Sequence, residues 1–346
     1  MSGDIEVHGC LMDVVEGFYR TWPGAASGWH NRINEWCHGF SWGNSRDRAA
    51  SNARHHYNIG NDFYKLWLDP SLTYSCAYFL DEDDDLATAQ QQKLEVVCQK
   101  ARLNPSQKLL DIGCGWGSLL FHAARHHRAH VVGVTPVKAQ ADYIEAEARR
   151  QRLSDRVRVI CGDWRDVTGR FDRITSIGMF EHVGLKQYPE FFRSWHKLLV
   201  DGGLSVLHTI GRMKPQPVDP WIRRYIFPGG YLPALTQINS QVAGEDLWIG
   251  DVENLRRHYA KTLRCWSERF QAVRDRVVSM YDESFARMWW LYLQGAEAAF
   301  RWGDLQLWQV VLMKGKDAPL PLDRRIDLHK SETDMAVLSL STIGSG

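Results

Sequence analysis

Between Lys108 and Gly211 the chain alternates short apolar runs with amphipathic stretches, and this alternation constrains the fold more than any other feature. KLLDIG runs into a glycine-rich turn and then into SLLFHAARHH, which reads as a helix. HVVGVT, VRVICGD, FDRITSIGM and GGLSVLHTIG supply four further strands. KAQADYIEAEARRQR and EFFRSWHKLLV read as helices between them, the latter closed by Asp201-Gly202-Gly203. Strands alternating with helices of this length predict an α/β fold, a mostly parallel sheet with helices on both faces. LQLWQVVLMKG (305–315) reads as a late strand, and residues 221–300 as mainly helical.

Around this unit, Leu11, Val14, Val15 and Phe18 stand at helical spacing and predict one amphipathic helix within residues 4–21. Residues 22–54 are rich in Gly, Trp, Asn and Arg and read as loops and short helices, whereas residues 317–346 read as a polar tail. The expected organisation is a short N-terminal region (1–54), a catalytic domain (55–316) and a C-terminal tail (317–346). A formal net charge of +1, with acids and bases interspersed, argues against affinity founded on phosphate neutralisation, so no nucleic-acid partner is expected. Seven cysteines, an odd number without a CxxC, fit free thiols in a reducing cytoplasm. The first twenty residues are too acidic for a cleavable signal, and no apolar run reaches spanning length. Of fifteen tryptophans, nine cluster at 22–67 and 289–308, either as core or as the lining of a large apolar cavity.

LLDIGCGWG places Gly113, Gly115 and Gly117 at a strand–helix junction, where glycine lets backbone N–H groups approach a ligand. A dinucleotide site competes for this pattern. Two details favour a different ligand. Asp111 ends the strand, where a phosphate would be repelled and a cationic amino-acid portion welcomed, and the second strand ends in Gly133-Val134-Thr135-Pro136 without the acid that would hold an NAD ribose. The turn resembles motif I of Rossmann-like class I S-adenosylmethionine-dependent methyltransferases.

HHYNIGNDFYKLWLDPSLTYSCAYF (55–79), SIGMFEHVG (176–184), LHTIG (207–211), DPWIRRYIFPGGYLP (219–233) and HYAKTLRCWSERF (258–270) follow in order. Together they resemble the cyclopropane-fatty-acyl-phospholipid synthase family, including the mycolic acid cyclopropane synthases, over roughly residues 50–315. Residues 1–50 are less alike and shorter than the N-terminal region of the long bacterial synthases. The resemblance implies that Tyr74 and Ser75 contact the methionine end of S-adenosyl-L-methionine and that Gly113 and Gly115 lie beneath it. It also implies that Thr135 and Gln140 sit near ribose and adenine, with Trp164 of GDWRD against the adenine. It implies methylene transfer to the cis double bond of an unsaturated acyl chain through a carbocation, deprotonated by a bound bicarbonate or carbonate ion. The residues implied to cradle that ion are Cys76, Glu181, His208, Ile210 through its backbone, and Tyr259.

Their types suit the task, since an imidazole, a phenol and backbone N–H groups donate to an oxyanion, and a carboxylate can share a proton with it. Alone, His208 would read as a hydrogen-bonded core residue, Cys76 as a small buried hydrophobe and Tyr259 as unremarkable. Their joint occurrence in family motifs favours function. His182 has no such support and reads as structural. No metal is expected, because His55-His56 and His126-His127 are adjacent pairs without ligand spacing to Cys or Asp. Three alternatives stay open: alkene methylation leaving a methyl or methylene branch, amine N-methylation as in some plant alkaloid enzymes that look like this family, and a silent cofactor- or lipid-binding protein. Arg223 and Arg224 beside Trp221, Tyr225 and Phe227 could form a headgroup rim, or a solvated surface with half-buried aromatics. The expected partners are unsaturated phospholipid acyl chains at a membrane surface, with transient peripheral association of a cytoplasmic protein and a homodimer as the candidate assembly.

Overall fold

Leu109 and Leu110 are neighbours in sequence yet belong to different apolar cores, one on each face of a sheet. That follows from the two-residue period of a strand and requires helices on both sides. The structure, a computed structural model, describes residues 3, 6–21, 59–316, 318, 320–322 and 326. The loop region expected at 22–54, His55-His56 and most of the expected tail lie outside the described residues.

The elements run α1 (Leu11–Thr21), α2 (Asn61–Trp67), α3 (Leu86–Lys100), β1 (Lys108–Ile112), α4 (Ser118–His126), β2 (His130–Thr135), α5 (Lys138–Arg150), β3 (Val157–Cys161) and β4 (Phe171–Ile177). There follow α6 (Tyr188–Leu198), β5 (Leu199–Arg212), α7 (Pro220–Tyr225), α8 (Leu235–Ala243), β6 (Leu247–Asn254), α9 (Arg256–Ala272), α10 (Arg274–Met280), α11 (Glu283–Arg301) and β7 (Leu305–Lys314). One seven-stranded sheet has the order β3-β2-β1-β4-β5-β7-β6. The pairs from β3 through to β5 are parallel, and β7 runs antiparallel between β5 and β6. The expected α/β architecture is the one observed.

Helices α3, α4 and α5 cover one face through Leu94, Val97, Leu120 and Ile144, whereas α6 and α8 cover the other through Phe191, Phe192, Trp195 and Ile238. A third core, built on α2, α9 and α11, packs Trp67, Trp266 and Trp289 with Leu255 and Leu307. Leu307 pairs with Ile210 near the carboxyl end of β5, so this aromatic layer covers that end of the sheet. The tryptophans thus serve both as core and as a wall over the sheet's functional end.

Three expectations shift. The first helix starts at Leu11, buries no residue fully and packs on α11, with Glu6 paired to Arg287 at 3.6 Å. Strand β5 begins at Leu199, ahead of the Asp201-Gly202-Gly203 turn expected to separate helix from strand. Within the span expected to be helical lies β6, whose sequence LWIGDVEN carries Gly, Asp, Glu and Asn, residues depleted from strands. Tertiary pairing with β7 makes it a strand.

Candidate active site

The strand order reverses between β1 and β4, because β1 connects leftward to β2 while β4 continues rightward to β5. Loops leaving neighbouring strands in opposite directions open a crevice at their carboxyl ends, where ligands of such sheets bind. A cleft of about 1070 Å³, counted to its open mouth, lies there. Its wall comes from the turn after β1, the ends of β2 and β4, the Tyr74–Ser75 segment and Trp164.

The structure brings Tyr74, Ser75, Asp111, Gly113, Gly115, Thr135, Gln140 and Trp164 to this one cleft. Gly113 has a φ of +82°, and a Cβ there would stand 2.4 Å from Met179 Cγ, so only glycine fits. At Gly115 a Cβ would meet nothing within 4 Å, which leaves the backbone open to a ligand. Gly117 stands apart: it is outside the cleft lining, and a Cβ on it would lie 2.9 Å from Ile144 Cγ1 and 3.1 Å from Phe121 Cε2. Its lack of a side chain serves the packing of α4 against α5.

The polar residues of the wall are held in place. Thr135 Oγ1 donates to Gln140 Oε1 (2.7 Å) and accepts from the Val137 amide (3.2 Å). Trp164 packs edge-on against Phe191, 5.1 Å between centroids, and carries the Arg165 guanidinium at 4.5 Å over its ring. Asp111 is buried and accepts from Thr175 Oγ1 at 2.8 Å; burial pushes its carboxyl up to about 6, against the pull of that hydrogen bond and of Lys93. Tyr74 and Tyr292 join hydroxyls at 3.0 Å.

Lys93 is a wall residue that the sequence did not reveal. It sits fully buried on α3, lines the cleft and donates from Nζ to Ser75 Oγ at 3.1 Å. Burial pushes its ammonium down to about 8, with Asp69, Cys76 and Asp111 pulling the other way. Its position in AQQQKLEVV looks like any solvent-facing lysine of an amphipathic helix.

Behind the cleft the oxyanion candidates form two linked groups. In the first, the Ile210 amide donates to Glu181 Oε1 at 2.6 Å, and His208 stands two residues earlier on β5. The His208 carbonyl accepts from the amide of Gly178, a cleft residue, at 2.8 Å. In the second, Cys76 Sγ donates to Ala77 O (3.1 Å) and lies 4.0 Å from Leu255 O, the carbonyl that also accepts from the Tyr259 amide (3.0 Å). The Leu255 amide donates to Leu307 O at 2.9 Å, and Leu307 is the strand partner of Ile210, which ties the groups together.

Among the buried atoms without a partner here are Glu181 Oε2, His208 Nε2 and Gln309 Oε1. Buried polar atoms are nearly always satisfied, so each is a candidate contact for a further polar group. Gln309, directly opposite His208 on β7, donates from Nε2 to His208 Nδ1 at 3.1 Å. In that arrangement the neutral ring carries its proton on Nε2 and presents an unused donor. Burial depresses His208 well below the usual imidazole range and so keeps it neutral. Burial also raises Glu181 to about 7, against hydrogen bonds from backbone amides and Thr209. The Cys76 thiol is pushed up by burial and stays protonated. One imidazole donor and one proton-sharing carboxyl suit a small oxyanion such as bicarbonate, while the Ile210 amide is engaged by Glu181 Oε1.

His182 does more than its sequence suggested. It lines the cleft, half-buried, with desolvation pushing its ring down to about 4, and its ring stands 5.7 Å from Phe227. The segment after α7 closes over the site, since the Tyr231 amide donates to Glu181 O at 2.9 Å. On α7 itself Trp221 and Tyr225 pack at 5.8 Å and Arg224 lies 5.3 Å over Tyr225. Among the described residues no helix is long and apolar enough to cross a membrane.

A family model described as mycolic acid cyclopropane synthetase matches residues 44–310. The cyclopropane-fatty-acyl-phospholipid synthase of Escherichia coli strain K12 is 42% identical over 281 residues, covering 81% of this chain and 72% of the relative. A probable fatty acid methyltransferase of Pseudomonas putida is 40% identical over 268 residues, covering 75% of this chain and 68% of the relative. Among solved structures, mycolic acid cyclopropane synthase CmaA1 complexed with SAH and CTAB superposes with a TM-score of 0.73 at 34% identity, covering 77% of this chain and 98% of that one.

Proposed function

This chain belongs to the mycolic acid cyclopropane synthetase family and is an S-adenosylmethionine-dependent methyltransferase of that type; from this premise we propose that it converts the cis double bond of an unsaturated phospholipid acyl chain into a cyclopropane, with bicarbonate held by Cys76, Glu181, His208, Ile210 and Tyr259. The observation that carries the reading is the pair of unpartnered buried atoms, Glu181 Oε2 and His208 Nε2, behind the cofactor cleft. Simple methyl transfer has no use for them.

S-adenosylmethionine supplies an electrophilic methyl group, so the protein's task is placement. Asp111 offers a carboxylate to the ammonium of the amino-acid portion. Lys93 fixes Ser75 and balances the Asp111 charge. Trp164, Thr135 and Gln140 form the nucleoside end, and Gly113 and Gly115 leave room for the chain between. Attack by the alkene leaves a carbocation on the acyl chain. Tyr74, Trp266 and their aromatic neighbours, with ring centroids 5.1 Å apart for that pair, surround it with π faces and exclude water.

Ring closure requires a proton to leave the transferred methyl group, and bicarbonate when bound would supply the base for it. His208 Nε2–H and the residues around Ile210 would hold the oxyanion, and Glu181, poised near neutrality, would take up or return a proton. Catalysis is assigned to residues 55–316, with 221–300 as the acyl-chain side. Arg223 and Arg224 with Trp221, Tyr225 and Phe227 form the rim that meets phospholipid headgroups.

Similarity to the Pseudomonas fatty acid methyltransferase favours one second reading, a methyl or methylene branch on the same acyl chain. Incubation with S-adenosylmethionine and a cis-unsaturated phospholipid, followed by mass analysis of the acyl groups, tests both. A gain of one CH2 that resists mild hydrogenation to a branched chain supports the cyclopropane. A branched product selects the second reading, and methylation of an amine with every lipid inert overturns both.

A pH profile probes the role of Glu181 separately. Its carboxyl is neutral below about 7 and ionised above it. With bicarbonate ion held at constant concentration, turnover should therefore rise as pH increases through 7. The same profile for Glu181→Gln should lack that rise. An identical rise in both proteins removes Glu181 from the proton path.

A further inference from the structure

No metal-ligand spacing is legible around His126-His127 in the sequence, yet folding brings Cys98, His122 and His127 together, with ligand atoms within 4.8 Å of one another. Glu95 joins them, its Oε2 lying 2.8 Å from His122 Nε2 and 3.0 Å from His127 Nε2. Two elements build the cluster. Glu95 and Cys98 stand three residues apart on α3 and so share a face, and His122 and His127 come from α4 and its C-cap. The cluster lies on the α3–α4 side of the sheet, outside the cofactor cleft lining.

Two features of the hydrogen bonding leave room for a metal ligand. His127 faces acceptor oxygens at both nitrogens, Leu103 O at 3.3 Å from Nδ1 and Glu95 at Nε2. A protonated ring donates at both, whereas a neutral ring that gives Nδ1–H to Leu103 O keeps a lone pair at Nε2. A ring that gives Nδ1–H to a backbone carbonyl and a lone pair at Nε2 is the usual form of a metal-bound histidine. His122 is half-buried, and its Nδ1, shielded from solvent, has no partner.

We propose that Glu95, Cys98, His122 and His127 form a structural zinc site that joins α3 to α4. One thiolate, two imidazoles and one carboxylate are ligand types that Zn(II) accepts, four in number as a tetrahedral site requires. The 4.8 Å spread of the Cys98, His122 and His127 ligand atoms exceeds the edge of a zinc tetrahedron, about 3.5 Å, so these side chains close in by about 1 Å on loading. The Cys98 thiol proton, and any proton held between His127 and Glu95, leave to solvent. Helix α3 also carries Gln90 and Lys93, which hydrogen-bond Ser75 at the cleft wall. The site is independent of the proposed reaction.

The test uses the full chain stripped with chelator and titrated with Co(II), then Zn(II). The expected result is one tightly bound Co(II) per chain with a near-ultraviolet thiolate charge-transfer band, displaced by Zn(II), together with a rise in unfolding temperature on loading. Cys98→Ser should lose the band, and His127→Gln, at the half-exposed helix end, should lose tight binding while still folding. Wild-type protein that shows no charge-transfer band, or that binds metal no more tightly than His127→Gln, overturns the proposal and leaves a hydrogen-bonded Glu–His cluster.

Discussion

Glu181→Gln is expected to lower turnover by about 10²–10⁴-fold, the usual contribution of a positioned acid–base group, while S-adenosylmethionine binding stays intact. The glutamine amide keeps an oxygen for the Ile210 amide, which donates to Glu181 Oε1 at 2.6 Å. The fold around the site therefore has no reason to change. What disappears is the proton-sharing oxygen Oε2, the atom left without a partner. The cofactor cleft is untouched, because Glu181 does not line it. Calorimetric binding beside a turnover assay checks both halves. A variant with full turnover removes Glu181 from the mechanism, and one that also loses cofactor binding makes its role structural.

Gly113→Ala is expected to damage cofactor binding and stability together. The residue sits at φ +82°, and its new methyl group would overlap Met179 Cγ and Cβ at 2.4 and 2.5 Å. Left-handed backbone on a non-glycine residue costs about 1–3 kcal/mol before the overlap is counted. Met179 itself lines the cleft, so relief of the clash pushes it into ligand space. Affinity for S-adenosylmethionine should fall at least about tenfold, or 1.4 kcal/mol, and the urea midpoint should drop with it. Gly115→Ala is the contrasting variant. Its Cβ meets nothing in the protein, so its stability loss should be confined to backbone strain while binding still suffers.

The sheet from β1 to β5 was legible in sequence because its signals are local: short apolar runs, glycine punctuation and helices of matching length. β6 was not, since LWIGDVEN lacks strand composition and owes its conformation to pairing with β7. That these residues would meet in one cleft was legible through long family motifs, apart from Gly117, which lies outside the cleft lining and packs against Ile144 and Phe121. Lys93 and Gln309 escaped notice for a shared reason. Each is a polar residue in an ordinary helix or strand pattern, and its meaning comes from one tertiary partner, Ser75 for Lys93 and His208 for Gln309. The Cys98–His122–His127 cluster escaped in the same way, because its ligands are separated in sequence and meet only across α3 and α4.

The central claim, ring formation at a site built to remove a proton from the transferred carbon, is tested most directly with S-adenosylmethionine carrying a trideuteriomethyl group. After incubation with a cis-unsaturated phospholipid, the acyl product is weighed before and after mild hydrogenation. The account predicts a product that keeps two of the three deuterium atoms and takes up no hydrogen. A product retaining all three, as a methyl branch would, contradicts it.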